Sequence, residues 1–397
     1  KTSAPRPPAL FPESLAHALV DAASAASETE LSGISAAAQP YLAALLHRAQ
    51  PQRVLVVVTD GLKSQERVHA DIATWLEPGP APLFHAAWET LPHERLSPRS
   101  DTVARRIQTL YSLQQVQAIN PIVVTPVRGA IHRIISQLGK SPLVQLEIGK
   151  EQSFDDLVRH LSSLAYTRTD LVERRGEFAV RGGIIDLFLP LSHHPIRIDF
   201  FGDEIEDLSY FEVADQRTFK PLVGTVDIYP CRELLLSPEI KHRAIEIADK
   251  YPAAAEMLSK IAEGITFEGM ESLIPLLIDE TQSLLSRMPE NTQLVFIDQQ
   301  RIKSRAADLL ATNEEFLNAS WSNAAMGGSA PLHDGAGTYM AWEELLDEIA
   351  QCGITTRELS PFGTDLDPET TFLDFAAIDP MRGDIDRAIA TLRQSLE

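Results

Sequence analysis

Cysteine is scarce. Cys231 and Cys352 are the only two in 397 residues, too few and too distant for a disulfide framework or a thiolate metal site. Such usage suits a reducing compartment. No apolar run approaches the roughly 18–20 residues of a membrane span. The opening KTSAPRPPALFPES has no continuous apolar core after its basic residue, so it is not a secretory signal. A soluble cytoplasmic protein without membrane contact is expected. Positive charge is also short: 35 Lys and Arg face 56 Asp and Glu, leaving −21. That balance argues against a surface that grips a polyanion as a whole, but leaves room for a local basic patch.

Catalytic signatures are missing as well. There is no H-E-x-x-H pattern and no Ser-His-Asp context. Gly139-Lys140-Ser141 looks like the tail of a phosphate-binding loop, but Ile134 stands where that motif needs its first glycine. Gly139 is instead expected to end a helix over residues 130–138. Gly149-Lys150 fails in the same way, with Val144 at the required place. His193-His194 reads as an exposed loop, and the carboxylates Asp199, Asp203, Glu204, Glu206 and Asp207 as a solvated hairpin face. No catalytic residue and no metal site is expected, so intrinsic catalysis is not anticipated.

What is present has the rhythm of an open α/β sheet. At about 150 residues per domain, the length suggests two or three domains. After an alanine-rich helix at 15–26 and another at 41–48, RVLVVV (53–58) reads as a strand buried on both faces. A helix at 64–76, a strand at 83–88, a helix capped by Ser100 or Asp101 with Val103, Ile107 and Leu110 inward, and a strand at 121–126 continue it. Residues 1–142 are thus a first α/β part. LVQLEI opens a smaller α+β unit, 143–220, with a helix capped by Ser153 and two hairpins. Residues 221–342 return to helices, including 268–288, and to the buried strand QLVFID (293–298), so the first domain is expected to resume there. Residues 343–397 hold thirteen acidic and four basic side chains and read as an acidic linker with the start of a further domain, as if cut from a longer protein. Met326–Thr338 and Ser360–Thr370 read as loops, and 384–396 as a helix.

Two basic regions stand out from this acidic background. Residues 95–133 hold six arginines and one acid, Asp101; their plain reading is the polar side of a helix, and their functional one is phosphate contact through Arg105 and Arg106. Residues 159–181 hold five arginines around GEFAVRGGIIDLFL, a predicted hairpin turning at Gly182-Gly183. Alternation places Phe178 and Val180 on its buried side and Arg181 on the other. Arginines beside an exposed strand fit a protein interface.

GEFAVRGGIIDLFLP followed by PIRIDFFGDEIEDLSYFEVADQRT resembles the module shared by UvrB and the transcription-repair coupling factors, while WETLPHERLSPRSDTVARRIQTLYSL before it and EGITFEGMESLIPLL after it resemble the coupling-factor version, all in family order. The likeness covers roughly residues 40–300. LSGISAAAQPYLAALL has no Gly-Lys-Thr, and the stretch from Trp88 to Arg106 is too short and too poor in tyrosine for UvrB's DNA-clamping hairpin. Both departures favour the coupling factors over the alternative, a UvrB-like damaged-DNA-binding module. The resemblance implies a UvrB-like, mostly parallel sheet with a degenerate P-loop, split around an inserted domain that binds UvrA. It places UvrA contact on Arg168 and Arg181, with Arg175 as a weaker candidate and Phe178 as core. It also implies that RNA polymerase, double-stranded DNA, and ATP with magnesium belong to later domains of a parent translocase.

Overall fold

The computed structural model describes residues 28–76, 79–91, 94–115, 119–141, 143–325, 338–361 and 370–375, with single positions 386, 389, 390 and 393. The helices expected at 15–26 and 384–396, and the two loops after Ala325 and Pro361, lie wholly or largely outside these. Among the described residues no helix is long and apolar enough to cross a membrane.

The chain begins with β1 (Glu28–Ile34), α1 (Gln39–Ala49), β2 (Leu55–Thr59), α2 (Leu62–Leu76), β3 (Leu83–Phe84), α3 (Ser100–Ser112), β4 (Ile122–Pro126), α4 (Val127–Ile131) and β5 (Ile134–Ile135). The apolar run of β2 is buried throughout. At roughly 1.5–3 kcal/mol per fully buried aliphatic side chain, such a strand can sit only at the centre of a sheet. Three local expectations are corrected. The strand over 83–88 stops at Phe84, because the buried Gln65 side chain takes the carbonyls of His85 and Val124 (2.9 Å each) and Arg106 takes that of Ala86 (3.1 Å). The N-cap of α3 is Arg99, which gives no side-chain cap, while Asp101 sits in the first turn and pairs with Arg99 at 2.9 Å. The helix over 130–138 is instead α4 followed by β5, two adjacent isoleucines that find a strand partner. Gly139 therefore ends no helix. It keeps a positive φ of 70° and lies against Leu110 and the start of the last turn of α3.

The smaller unit follows as β6 (Val144–Leu146), α5 (Phe154–Ser163), β7 (Thr167–Arg168), β8 (Glu177–Arg181), β9 (Ile184–Leu187), β10 (Ile196–Phe201), β11 (Glu204–Phe211), β12 (Thr218–Pro221) and β13 (Val226–Ile228). Ser153 caps α5 by accepting from the Asp156 amide. Strands β7 to β12 form one sheet in sequence order. Its pairs are antiparallel except β7 with β8. Gly182 supplies φ 60° at the first hairpin and Gly202 φ 64° at the second, a conformation costly for other residues. Leu157 and Leu161 of α5 pack on Phe178, Ile185, Leu187, Ile196 and Ile198. Phe178 is core, as the alternation requires. The opposite face is not simply solvated, because Ala179 joins Val172, Phe188 and Phe211 in a second small cluster. Antiparallel pairing of β6 with β13 closes the unit on a two-stranded stem that ends at Ile228, past residue 220.

The chain then adds α6 (Pro238–Ile247), α7 (Ala255–Glu263), a single helical turn α8 (Ile274–Leu277), β14 (Thr281–Gln282), β15 (Gln293–Ile297), α9 (Gln299–Ala325), α10 (Trp342–Gln351), β16 (Thr355–Leu359) and β17 (Thr370–Phe375). The continuous helix expected over 268–288 is broken into short turns and β14, which pairs with β5. Strand β15 lies between β2 and β16, in parallel register with Val57 opposite Val295, so residues from both sides of the smaller unit share one sheet. Strands β16 and β17 belong to it too, where an acidic linker is expected from the sequence. The seven-stranded sheet runs β17-β1-β16-β15-β2-β4-β3, and each of its pairs is parallel. Apolar clusters cover both faces, with α1 and α2 on one and α4, α9 and α10 on the other. The fold is α/β, a parallel sheet interrupted by a smaller α+β unit.

Candidate functional site: an exposed arginine rim and a buried arginine hub

At the β7 edge of the inserted sheet, Arg168, Arg174, Arg175 and Arg181 are all exposed. Register pairs Arg168 with Phe178, so its place in the pleat differs from that of Arg181. The loop from Thr169 to Gly176 brings the two together, since Arg181 Nη2 donates to the Asp170 carbonyl at 2.8 Å. The Thr169 amide holds that loop to the Phe178 carbonyl (2.9 Å), and Glu177 accepts from the amides of Glu173 and Arg174 at 2.9 and 2.8 Å. Arg175 Nε reaches the Ser192 carbonyl at 3.0 Å, with its guanidinium 5.9 Å from the Phe188 ring centre. Arg181 and Arg175 thus each donate to backbone while their guanidinium groups remain at the surface. Exposed Leu171 adds an apolar neighbour. A rigid loop fringed by guanidinium forks can grip carboxylates bidentately.

On the outer face of this sheet, buried Asp186 holds Arg197 through two bonds of 2.7 and 2.9 Å, and the same guanidinium lies 5.0 Å from the Phe211 ring centre. Asp199 stands directly across from Asp207. Its carboxyl is raised above the usual range, first by burial and then by Asp207. Among the described residues, no group of His, Cys, Asp and Glu is placed to hold a metal ion. His193 is exposed, and His194 packs on Phe219 (5.0 Å between ring centres) beside Glu212 (3.6 Å). Cys231 is buried and its thiol is pushed up to about 12 by burial, so it is unreactive; Cys352 is free and exposed.

The first basic region divides. Arg105 stays on the outside of α3, its guanidinium 5.0 Å from the Phe84 ring centre. Arg106 has no exposed surface and cannot meet a phosphate, which corrects its reading as a nucleic-acid contact. Its Nε donates to buried Glu233 at 2.5 Å, Nη1 to the Ala86 carbonyl at 3.1 Å and His85 Nε2 at 3.4 Å, and Nη2 to His132 Nδ1 at 3.3 Å. Trp88 Nε1 donates to the same Glu233 oxygen at 2.9 Å. Because a guanidinium only donates, each histidine must accept and is neutral, with the proton on its other nitrogen. Burial, then Arg106, holds both imidazoles well below their usual range. On His85 the protonated Nδ1 is buried without a partner. The signal for Arg106 was in the sequence: it shares the inward stripe of Val103, Ile107 and Leu110, whereas Arg105 does not. Nothing local marked Glu233, 127 residues away.

Residues 144–234 match the family model described as the UvrB interaction domain. A transcription-repair-coupling factor of Mycobacterium tuberculosis is 39% identical over 384 residues, covering 90% of this chain and 30% of that protein. Those of Myxococcus xanthus and Escherichia coli are 31% and 30% identical, each over 74% of this chain and 26% and 25% of their own length. The chain spans 30% or less of the curated relatives it matches.

Proposed function

Over the stretch it spans, the chain belongs to the transcription-repair-coupling factor family, and from that premise we propose that its inserted domain docks the repair protein UvrA. The observation that carries this reading is the exposed arginine rim inside the matched UvrB interaction domain. Arg168 and Arg181 are the principal contacts, and Arg175 is an auxiliary one. Their forks meet acidic side chains of the partner, and Leu171 supplies apolar area beside them. The physiological outcome is recruitment of UvrA to RNA polymerase stalled on damaged double-stranded DNA, in the cytoplasm. ATP and magnesium act in other parts of the parent protein.

One feature supports assigning the ATP site elsewhere. In doubly wound sheets a nucleotide lies at the carboxyl ends of the strands. Here the loop from β2 to α2 carries Asp60, which is hydrogen-bonded by Ser64 and paired with Arg301 at 2.7 Å. A phosphate there would meet the Asp60 carboxylate. A second reading, damaged-DNA binding through α3, loses one of its two candidates with the burial of Arg106, while Arg105 stays exposed.

Titration of UvrA into the chain and its Arg181→Ala variant at matched salt tests the proposal. Equal affinities would remove Arg181 from the interface. The same reading expects ATP with magnesium to leave the melting temperature unchanged, because a ligand that binds the native state raises it.

A further inference from the structure

The inserted domain joins the parallel-sheet domain through few elements. Its two chain connections converge on the β6–β13 stem, and the second continues at once into Arg232 and Glu233. These neighbours reach in different directions. Glu233 enters the buried hub of Arg106 and Trp88, while Arg232 lies 3.4 Å from Glu271 and 3.5 Å from Glu268. Glu271 is itself buried and accepts from Ser97 Oγ at 2.5 Å. The neighbouring cover is mostly apolar, with Tyr229 and Leu191 against Val103 and Ile107 of α3, and the Tyr229 hydroxyl is hydrogen-bonded to Gln108 of the same helix. Beside the hub the packing is open: a cavity of about 200 Å³ is bordered by Trp88, His132, Glu233 and Glu271.

We infer that Glu233 and Arg106 are positioning residues that hold the inserted domain at one bearing on the parallel-sheet domain, with the segment just after Cys231 as the joint, since Tyr229 and Cys231 are still hydrogen-bonded to Tyr166 and Leu164 of the inserted domain. The physical reason is directional. Apolar contact is nearly indifferent to sliding and rotation, since it scales with buried area alone. Of the Arg106 partners, Glu233 alone comes from the stem side, and a carboxylate that accepts from Arg106 Nε and Trp88 Nε1 together is satisfied only over a narrow range of relative positions. Buried ion pairs add little net stability compared with apolar residues of similar size, because desolvation offsets their attraction. Their selective contribution is therefore orientation. This inference concerns geometry between the two domains and does not depend on which partner the arginine rim binds.

The test is a distance measurement in the full chain. With Cys352→Ser as background, spin labels are placed at Lys63→Cys on α2 and Ser163→Cys at the end of α5, both exposed positions. Pulsed electron resonance then reads the interdomain distance. The parent is expected to give one narrow distribution. The double variant Arg106→Leu/Glu233→Leu removes both charges together and is expected to melt cooperatively, with a distribution at least twice as wide or shifted. A folded double variant with the parent's narrow distribution would overturn the inference. Should that variant fail to fold, Glu233→Gln keeps the shape and one acceptor while losing the charge. Broadening in Glu233→Gln supports the inference, and an unchanged narrow distribution overturns it.

Discussion

Arg106 and Arg181 are the same side chain in opposite settings. Arg106 lies on a helix stripe among valine, isoleucine and leucine, wholly buried, with a carboxylate, a carbonyl and two imidazoles as partners. Arg181 is the exposed last residue of a strand whose middle is buried, and its guanidinium donates to the Asp170 carbonyl. Each sits in a local surplus of positive charge, and the surplus alone does not separate them. What separates them is whether the helix or strand turns the residue inward. A buried guanidinium organises its own protein, while an exposed one, held only by backbone, is available to another molecule.

The sharpest way to break this comparison is to remove each arginine and read stability and binding separately. Arg106→Ala leaves Glu233 buried and unpaired, and should cost about 3–5 kcal/mol of stability. A urea titration giving a loss below ~1 kcal/mol would show that the hub is not organising anything. Arg181→Ala should leave that titration unchanged, yet weaken UvrA binding by about 2 kcal/mol if it is a hot spot. A loss of stability without a loss of affinity would place Arg181 with Arg106 rather than opposite it.

Protonation sharpens the contrast from another side. His85 and His132 are held below the usual histidine range in the folded state. As pH falls below about 6.5, the unfolded chain takes up protons that the native hub refuses. Stability is thus complete above that point and falls below it, by about 1.4 kcal/mol per pH unit for each such histidine. His132→Asn should show a shallower loss than the parent between pH 6.5 and 5. Identical slopes would mean that His132 is not kept neutral by the hub. The rim has no such titration partner, so variants at Arg168 should leave the slope as it is.

The smallest expected effect is at Arg105, beside buried Arg106 yet on the outer surface. Arg105→Ala removes only an exposed stacking contact with Phe84, worth about 0.5–1 kcal/mol. A loss as large as that of Arg106→Ala would erase the distinction between the inward and outward sides of α3.

Much of this division was legible in the amino-acid order. The buried run at 55–59, its parallel partner at 293–297 and the glycine turns at 182 and 202 follow from apolar continuity and from backbone freedom, which are local properties. The exposed position of Arg181 and the core position of Phe178 follow from alternation on one strand. Other features depended on distant partners. Ile134 and Ile135 became a strand because Thr281 and Gln282 lie beside them. Residues 85–88 left the sheet because Gln65 and Arg106 took their carbonyls.

What the sequence by itself determined is the interrupted α/β architecture and the presence of an arginine-rich hairpin within it, because periodicity and glycine placement act over a few residues. Only the tertiary structure decided which arginines face outward together and which one is enclosed. That choice depends on Asp170 meeting Arg181 across a loop, and on Glu233 returning from the far side of an inserted domain to reach Arg106. Charge pairing of this kind is set by distance in space, and separation along the chain carries no trace of it.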